Sequence, residues 1–277
     1  MLSSLPPPEK QKYKNKFSTC SKEKIVKKGN NGSTFMWWNK GNSDIFNKMD
    51  EVELMIKKHN PKIFALMEAN MSPECHSPAL QIADFSLERD NLLNYNIRTR
   101  TAIYVSDSLS YKRRYDLEIP QLPFIWLEIK DSPSKSWLMM AGYRQWRTLG
   151  EKNRKGSHLM KAQLERFKKW TLSMEKAEQE GKEVVILGDL NIDVTPWTNP
   201  STIRSEYQVS MASMLSALME TTNKLNLTLV KTPPTRFQGS DTPSILDVIF
   251  SNKPEKLGNP TLFETSSDHK LIVIKKT

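Results

Sequence analysis

Asp189 and Asn191, in Gly188-Asp189-Leu190-Asn191, and Asp268 and His269, in Ser266-Ser267-Asp268-His269, are the residues of this chain best suited to chemistry. The first motif follows the apolar run Val184-Val185-Ile186-Leu187, and the second precedes Leu271-Ile272-Val273-Ile274. Acidic and hydrogen-bonding side chains thus stand at the ends of buried strands, where an open sheet presents its reactive groups. An Asp beside an Asn, with an Asp beside a His, can hold a hard divalent cation and move a proton at a phosphate.

Other polar residues occupy comparable positions. Asn39 ends a first strand, Glu68 follows a strand at 63–67, Tyr143 ends one at 137–143, and Asp247 lies within one at 245–250. Glu68 and Asp268 are hard oxygen ligands suited to Mg²⁺, with Mn²⁺ as the alternative. Asp189 can orient or deprotonate a water, while Asn191 and Asn39 fix that water, the Asp or a phosphate oxygen by neutral hydrogen bonds. His269 can donate to a phosphate oxygen as charge builds, with Asp247 raising its pKa and fixing its ring. Tyr143 can donate its phenolic proton to the same phosphate. Spacing alone does not bring these strand ends together.

The elements that must position them follow from periodicity. After strand 35–38 comes a helix capped by Ser43 or Asp44, with Ile45, Met49, Val52 and Ile56 at helical spacing, ended by Pro61. A looser stretch precedes strands at 101–105, 124–129 and 137–143. A long helix over 157–180 places Met160, Leu164, Phe167, Thr171, Met174 and Ala177 on one face, and Gly181 stops it. Strand 183–187, a helix bearing Met211, Leu215, Leu218, Thr222 and Leu225, and strands at 227–230, 245–250 and 270–274 complete the order. This is neither a regular doubly wound sheet nor an all-β chain. It fits an α/β sandwich of two packed sheets with helices outside.

The chain has 277 residues, enough for one large α/β domain, and a net charge of +10, which favours a polyanionic partner. Eight lysines face two glutamates in residues 1–33, so six of those ten charges sit there. With its Pro triplet and few large apolar residues, this segment reads as a basic, disordered arm or linker ahead of a domain at 34–277. No apolar run approaches a membrane span, and the N-terminus has no apolar signal region. Cys20 and Cys75 form neither a disulfide framework nor a zinc pattern, as in a reducing compartment.

Trp38-Asn39, Leu66-Met67-Glu68, Ile186-Leu187-Gly188-Asp189-Leu190-Asn191, Ser244-Ile245-Leu246-Asp247 and Ser267-Asp268-His269 occur in this order over residues 34–277. Together they resemble the endonuclease/exonuclease/phosphatase superfamily, whose DNase I-like fold is a four-layered sandwich of two mixed β-sheets with helices outside. Residues 100–105 and 124–128, Gly142-Tyr143-Arg144 and Pro234-Thr235-Arg236-Phe237 are most similar to the endonuclease domains of non-LTR retrotransposons. The resemblance implies a metal-dependent nick in one strand of duplex DNA, leaving a 3′-hydroxyl for a reverse transcriptase. That enzyme would be a domain of the same polypeptide, acting in the nucleus, and the endonuclease domain itself would be monomeric. It further implies Glu68 as metal ligand with Asp268 nearby, Asp189 and Asn191 at the water, Asn39 and Tyr143 supporting the phosphate, and His269 with Asp247 as the proton-relay pair. Ser244 joins that network, and the loop with Thr235, Arg236 and Phe237 approaches the DNA grooves. Three positions depart from the family pattern: Lys40 where a neutral or small residue is usual, Asn70 where Thr is common, and Gly41 where repair enzymes keep a second acid.

Each residue also has a plainer reading. Asn39 or Tyr143 alone is a turn residue or a satisfied core phenol, Asp247 alone a buried acceptor, His269 alone structural. Their joint occurrence at strand ends reverses that weighting. Arg98, Arg100, Arg144 and Arg147 are candidates for phosphate contacts, against the default of solvated charge. Trp37, Trp38 and Trp126 read as core, and Lys161, Arg166, Lys168 and Lys169 as an exposed helix face. The rival functions are an abasic-site repair endonuclease, a phosphatase or lipid phosphodiesterase on the same scaffold, and a non-catalytic DNA-binding module of a larger retroelement protein.

Overall fold

The computed structural model describes residues 32–72, 78–95, 97–146, 153, 156–198, 208–239 and 242–277. The basic arm, except for Gly32 and Ser33, lies outside these residues, as do Cys20, Cys75 and Arg147.

Twelve strands among the described residues form two six-stranded mixed sheets. In the first sheet, β11 (Thr261–Phe263), β12 (Leu271–Lys276), β1 (Ser33–Asn39), β2 (Ile63–Met71), β4 (Thr99–Ser106) and β3 (Phe85–Arg89) lie side by side in that order. The second runs β5 (Tyr111–Arg113), β6 (Phe124–Ser132), β7 (Lys135–Tyr143), β8 (Glu183–Asp189), β10 (Asp247–Ser251) and β9 (Thr228–Leu229). Each sheet has a parallel pair at its centre, β1 with β2 and β7 with β8. Each pair is joined by a crossover helix, α1 (Met49–His59) or α2 (Gly156–Glu178). Parallel strands need such a crossover, and their carboxyl ends then open at one edge of the sheet. A single turn α3 (Thr195–Thr198) and helix α4 (Gln208–Lys224) complete the helices described, apart from short 3-10 turns.

Strand alternation builds four layers. Along β1, Phe35 and Trp37 enter the core between the sheets, while Met36 and Trp38 pack toward α1. Along β8, Val185 and Leu187 enter the inter-sheet core, while Val184 and Ile186 face the side that carries α2 and α4. Phe35 and Trp137 meet edge-on between the sheets, ring centres 5.4 Å apart. No helix of the described residues is long and apolar enough to cross a membrane.

The helix before β2 begins as expected. Asp44 accepts from the Phe46 N–H at 3.1 Å, and Ile45, Met49, Val52 and Ile56 are buried. Asn60, left-handed at φ 44°, ends α1 just before Pro61. The buried face of α2 differs from expectation. Leu159, Gln163, Phe167, Trp170, Ser173, Met174 and Ala177 face inward, while Met160, Leu164 and Thr171 are only half-buried. Trp170 turns the face, because its ring seats on Gly142, where an added Cβ would lie 2.6 Å from it. Trp126 Nε1 also donates to Ser173 Oγ at 2.8 Å, drawing a polar residue inward. Strands β3, β5 and β11 fall where no strand was expected. All three are short, half-exposed edge strands, whose mixed composition carries little periodic signal.

Candidate active site

Period-2 alternation carries Asn39, Tyr143, Asp189 and Asp247 to the face their strands turn toward the opposite sheet. Asn39 follows Phe35 and Trp37, Tyr143 follows Met139 and Ala141, Asp189 follows Val185 and Leu187, and Asp247 precedes Ile249. Asn39, Tyr143 and Asp189 sit at the carboxyl ends of β1, β7 and β8, and Asp247 pairs directly with Asp189 in register.

Glu68 is different. In β2 the residues Ile63, Ala65 and Met67 face the other sheet, so an unbroken strand would turn Glu68 toward α1. A bulge between Met67 and Met71, with Glu68 at φ 52° and Asn70 at φ 49°, reverses the alternation. Beyond it Ala69 and Met71 pack toward α1, and Glu68 joins the inter-sheet site. Non-glycine residues in this region cost on the order of 1–2 kcal/mol each. Strain of that kind is commonly held at functional sites.

The resulting hydrogen bonds bridge the two sheets. Asn39 Nδ2 donates to Asp189 Oδ2 at 2.6 Å and approaches Glu68 Oε1 at 3.4 Å. Tyr143 donates its phenolic proton to Glu68 Oε1 at 2.7 Å. The Asn191 backbone N–H donates to Asp189 Oδ1 at 2.6 Å, and the Asn191 side chain donates to the Arg144 carbonyl at 2.9 Å. His269 Nδ1 lies 2.7 Å from Asp247 Oδ2. Ser267 Oγ donates to the Asn39 carbonyl at 2.8 Å and accepts from the His269 N–H at 2.9 Å, holding the His loop against β1. The signal for Ser267 in the sequence is a hydroxyl two residues before the His.

Electrostatics follow from this burial. Asp189 and Asp247 are 1% and 0% exposed, which makes two adjacent carboxylates costly. Burial first, then the Asp247 charge, pushes the Asp189 carboxyl well above its usual range, against His269 and the bonds from Asn191 and Asn39. Burial would lower the His269 pKa, but Asp247, then Asp189 and Asp268, carry it up to about 9. The imidazolium therefore supplies the positive charge that lets both acids share one buried pocket. Burial, then Glu68 and Asp189, hold the Tyr143 phenol far above its ordinary value, so it remains a donor. Burial pushes the Lys40 ammonium down to about 8, against the pull of Glu68 and Asp44.

The remaining expected site residues are distributed as follows. Arg144 is fully buried, with its guanidinium on the Leu190 and Asn191 carbonyls, so it braces the Asp189–Asn191 turn from behind. Thr235 is also buried, and its Oγ1 accepts from the N–H groups of Leu246 and Asp247, each at 3.2 Å. Arg236 pairs with Asp268 at 2.9 Å, and its backbone pairs with that of Ser244. Arg100 donates to Asn70 Oδ1, beside Glu68. Asp268 is thus held by Arg236, whereas Glu68 is held by Tyr143 and Asn39.

A hard divalent cation fits this donor set. The Glu68 carboxylate is only partly buried, and the buried Asp247 Oδ1 has no hydrogen-bond partner among the described residues. Ligand atoms of Asp189, Asp247 and His269 lie within 4.8 Å of one another and could also hold a metal.

Two six-stranded sheets with central parallel pairs, and this site at their carboxyl edge, decide the fold. It is DNase I-like. Residues 157–273 match the family model described as endonuclease-reverse transcriptase. The structure superposes on the endonuclease domain of TRAS1, a telomere-specific non-LTR retrotransposon, with TM-score 0.62 and 15% identity, covering 88% of this chain and 98% of that one. A 3′–5′ exonuclease from Neisseria meningitidis gives TM-score 0.63 at 15% identity, covering 88% and 99%. An AP endonuclease from Archaeoglobus fulgidus gives 0.63 at 13% identity, covering 87% and 98%. At such identities these likenesses establish the DNase I-like fold. No curated protein matches the chain in sequence.

Proposed function

We propose that the protein is a metal-dependent endonuclease that nicks one strand of duplex DNA and leaves a 3′-hydroxyl, as target-primed reverse transcription of a non-LTR retrotransposon requires. The observation that carries this reading is the bridging of the two sheets by Asn39–Asp189, Tyr143–Glu68 and His269–Asp247 at one edge. A DNase I-like fold, the family match over residues 157–273 and the net charge of +10 support it.

Glu68 is the proposed ligand for Mg²⁺ or Mn²⁺, with Asp268 shared between that role and Arg236. Such an ion would polarise a phosphoryl oxygen and stabilise the leaving oxyanion. Asp189, aimed by Asn39 and the Asn191 N–H, takes a proton from water as the water oxygen attacks phosphorus. Its raised pKa brings the base closer to neutral, where proton acceptance is most effective. The P–O3′ bond breaks, leaving a 5′-phosphate and a 3′-oxyanion that takes a proton from solvent to become the 3′-hydroxyl. His269, positively charged below pH about 9, donates to a phosphate oxygen as its charge grows. Arg100, Arg236 and Ser244 line the DNA side, while Arg144 and Thr235 hold the acids in place. The protein would act in the nucleus, as a monomeric domain linked to a reverse transcriptase.

Supercoiled-plasmid nicking with and without EDTA tests this proposal. Asp189→Ala should lower the rate by about 10²–10⁴-fold. Nicking in EDTA, or by Asp189→Ala at the wild-type rate, overturns it. Mapping the ends tests the 3′-hydroxyl. The AP endonuclease among the structural neighbours motivates one further arm. Cleavage of an abasic duplex far faster than intact plasmid would select the repair reading.

A further inference from the structure

Lys40 is 1% exposed although its side chain ends in an ammonium. Burying an ammonium costs several kcal/mol unless its donors are matched. Its Nζ donates to the Gly41 carbonyl at 3.2 Å and to the Ser43 carbonyl. The same Ser43 carbonyl accepts from Asn70 Nδ2 at 3.3 Å, and that amide also donates to Asn42 Oδ1 at 3.1 Å. Arg100 fixes the other end of the Asn70 amide. One polar network therefore joins two irregular segments: the loop at 39–43, which begins with Asn39, and the bulge at 68–70, which begins with Glu68. Both segments are held against their regular strand geometry, with Gly41 at φ 75° and Glu68 and Asn70 left-handed.

We infer that Lys40 is a positioning residue for the reaction proposed above: its buried ammonium closes the 39–43 loop on itself and fixes the Ser43 carbonyl through which Asn70 of the 68–70 bulge is held, and so sets how Asn39 meets Glu68 and Asp189. The inference rests on that reading for its catalytic consequence, but not for its structural one. A lysine is suited to the task because it has three rotatable donors, enough to collect two carbonyls converging from one loop. Methionine would fill the same space and collect neither. A misplacement of about 1 Å in such a support can cost up to 10²-fold in rate.

The test is a double-mutant cycle read in two ways. Lys40→Met should lower kcat for plasmid nicking about ten-fold with KM for DNA within about two-fold, since it moves groups rather than removing a DNA contact. On an Asn39→Ala background the same change should cost less than about two-fold, because the group it positions is gone. Hydrogen exchange of peptides covering 39–43 and 68–70 should quicken about ten-fold in Lys40→Met, with β7 and β8 unchanged. Full activity with unchanged exchange, or equal losses on both backgrounds, overturns the inference. If Lys40→Met unfolds, Asn70→Ala cuts the opposite side of the clamp and must give the same pattern. If wild type nicks nothing, the proposed function fails, and the exchange measurement still decides the clamp.

Discussion

Tyr143 ties the second sheet to Glu68 of the first. Its phenol donates to Glu68 at 2.7 Å and is kept neutral by burial first, then by the Glu68 and Asp189 charges. Removing only the oxygen leaves Glu68 with the longer contact from Asn39. Tyr143→Phe should therefore fold normally and lose about ten-fold or more in nicking rate, the range of one positioned donor in a dry site. A fully active variant would remove Tyr143 from the chemistry. The residue types at Glu68, Asp189, Asn191, Asp247 and His269 were legible because all occur together at the ends of apolar runs, where any one alone would be ordinary. The roles of Arg144 and Thr235 were not legible, since nothing in a sequence distinguishes a phosphate-seeking arginine from one folded back onto carbonyls.

At the scale of elements, the β7–β8 pair does most to place the acids. Gly142 and Gly188 lie opposite each other in parallel register, one residue before Tyr143 and Asp189. Gly188 has φ 144°, and a Cβ there would stand 1.9 Å from the Gly142 carbonyl oxygen. Gly188→Ala should cost on the order of 4 kcal/mol. That corresponds to roughly 10 °C in melting temperature, and nicking should fall with it. A variant melting with wild type would show that close approach is not required. The parallel pairs also explain which elements the sequence revealed. Central strands read as strong apolar runs, while edge strands β3, β5 and β11 did not. In α2 the inward face keeps helical spacing but includes Trp170, which packs on Gly142, rather than Met160 and Leu164.

For the whole molecule, the His269–Asp247 pair links the end of one sheet to the other, so its charge state is coupled to stability. The His269 pKa rises to about 9 in the fold, above the roughly 6.5 of an unfolded histidine. Its stabilisation is thus full below about pH 6.5 and lost as pH rises through about 9. Urea midpoints of wild type and His269→Gln should differ most near pH 6 and converge above pH 9. A difference independent of pH would show that the ring contributes by packing alone. Nicking should decline over the same rise, because the imidazolium is the proposed donor.

The reactive residue types, the central strands, the crossover helices and the sandwich are all written in local patterns, because periods of 2 and 3.6 report which faces must be buried. Which strand ends meet is set by packing. Glu68 shows why: regular alternation turns it toward α1, and a bulge with two left-handed residues brings it to Tyr143. Lys40 had no periodic signal either, since its burial depends on the Gly41 and Ser43 carbonyls turning back onto its ammonium beneath the folded sheet edge. Convergence depends on two sheets packing face to face, a long-range event that local propensity does not encode.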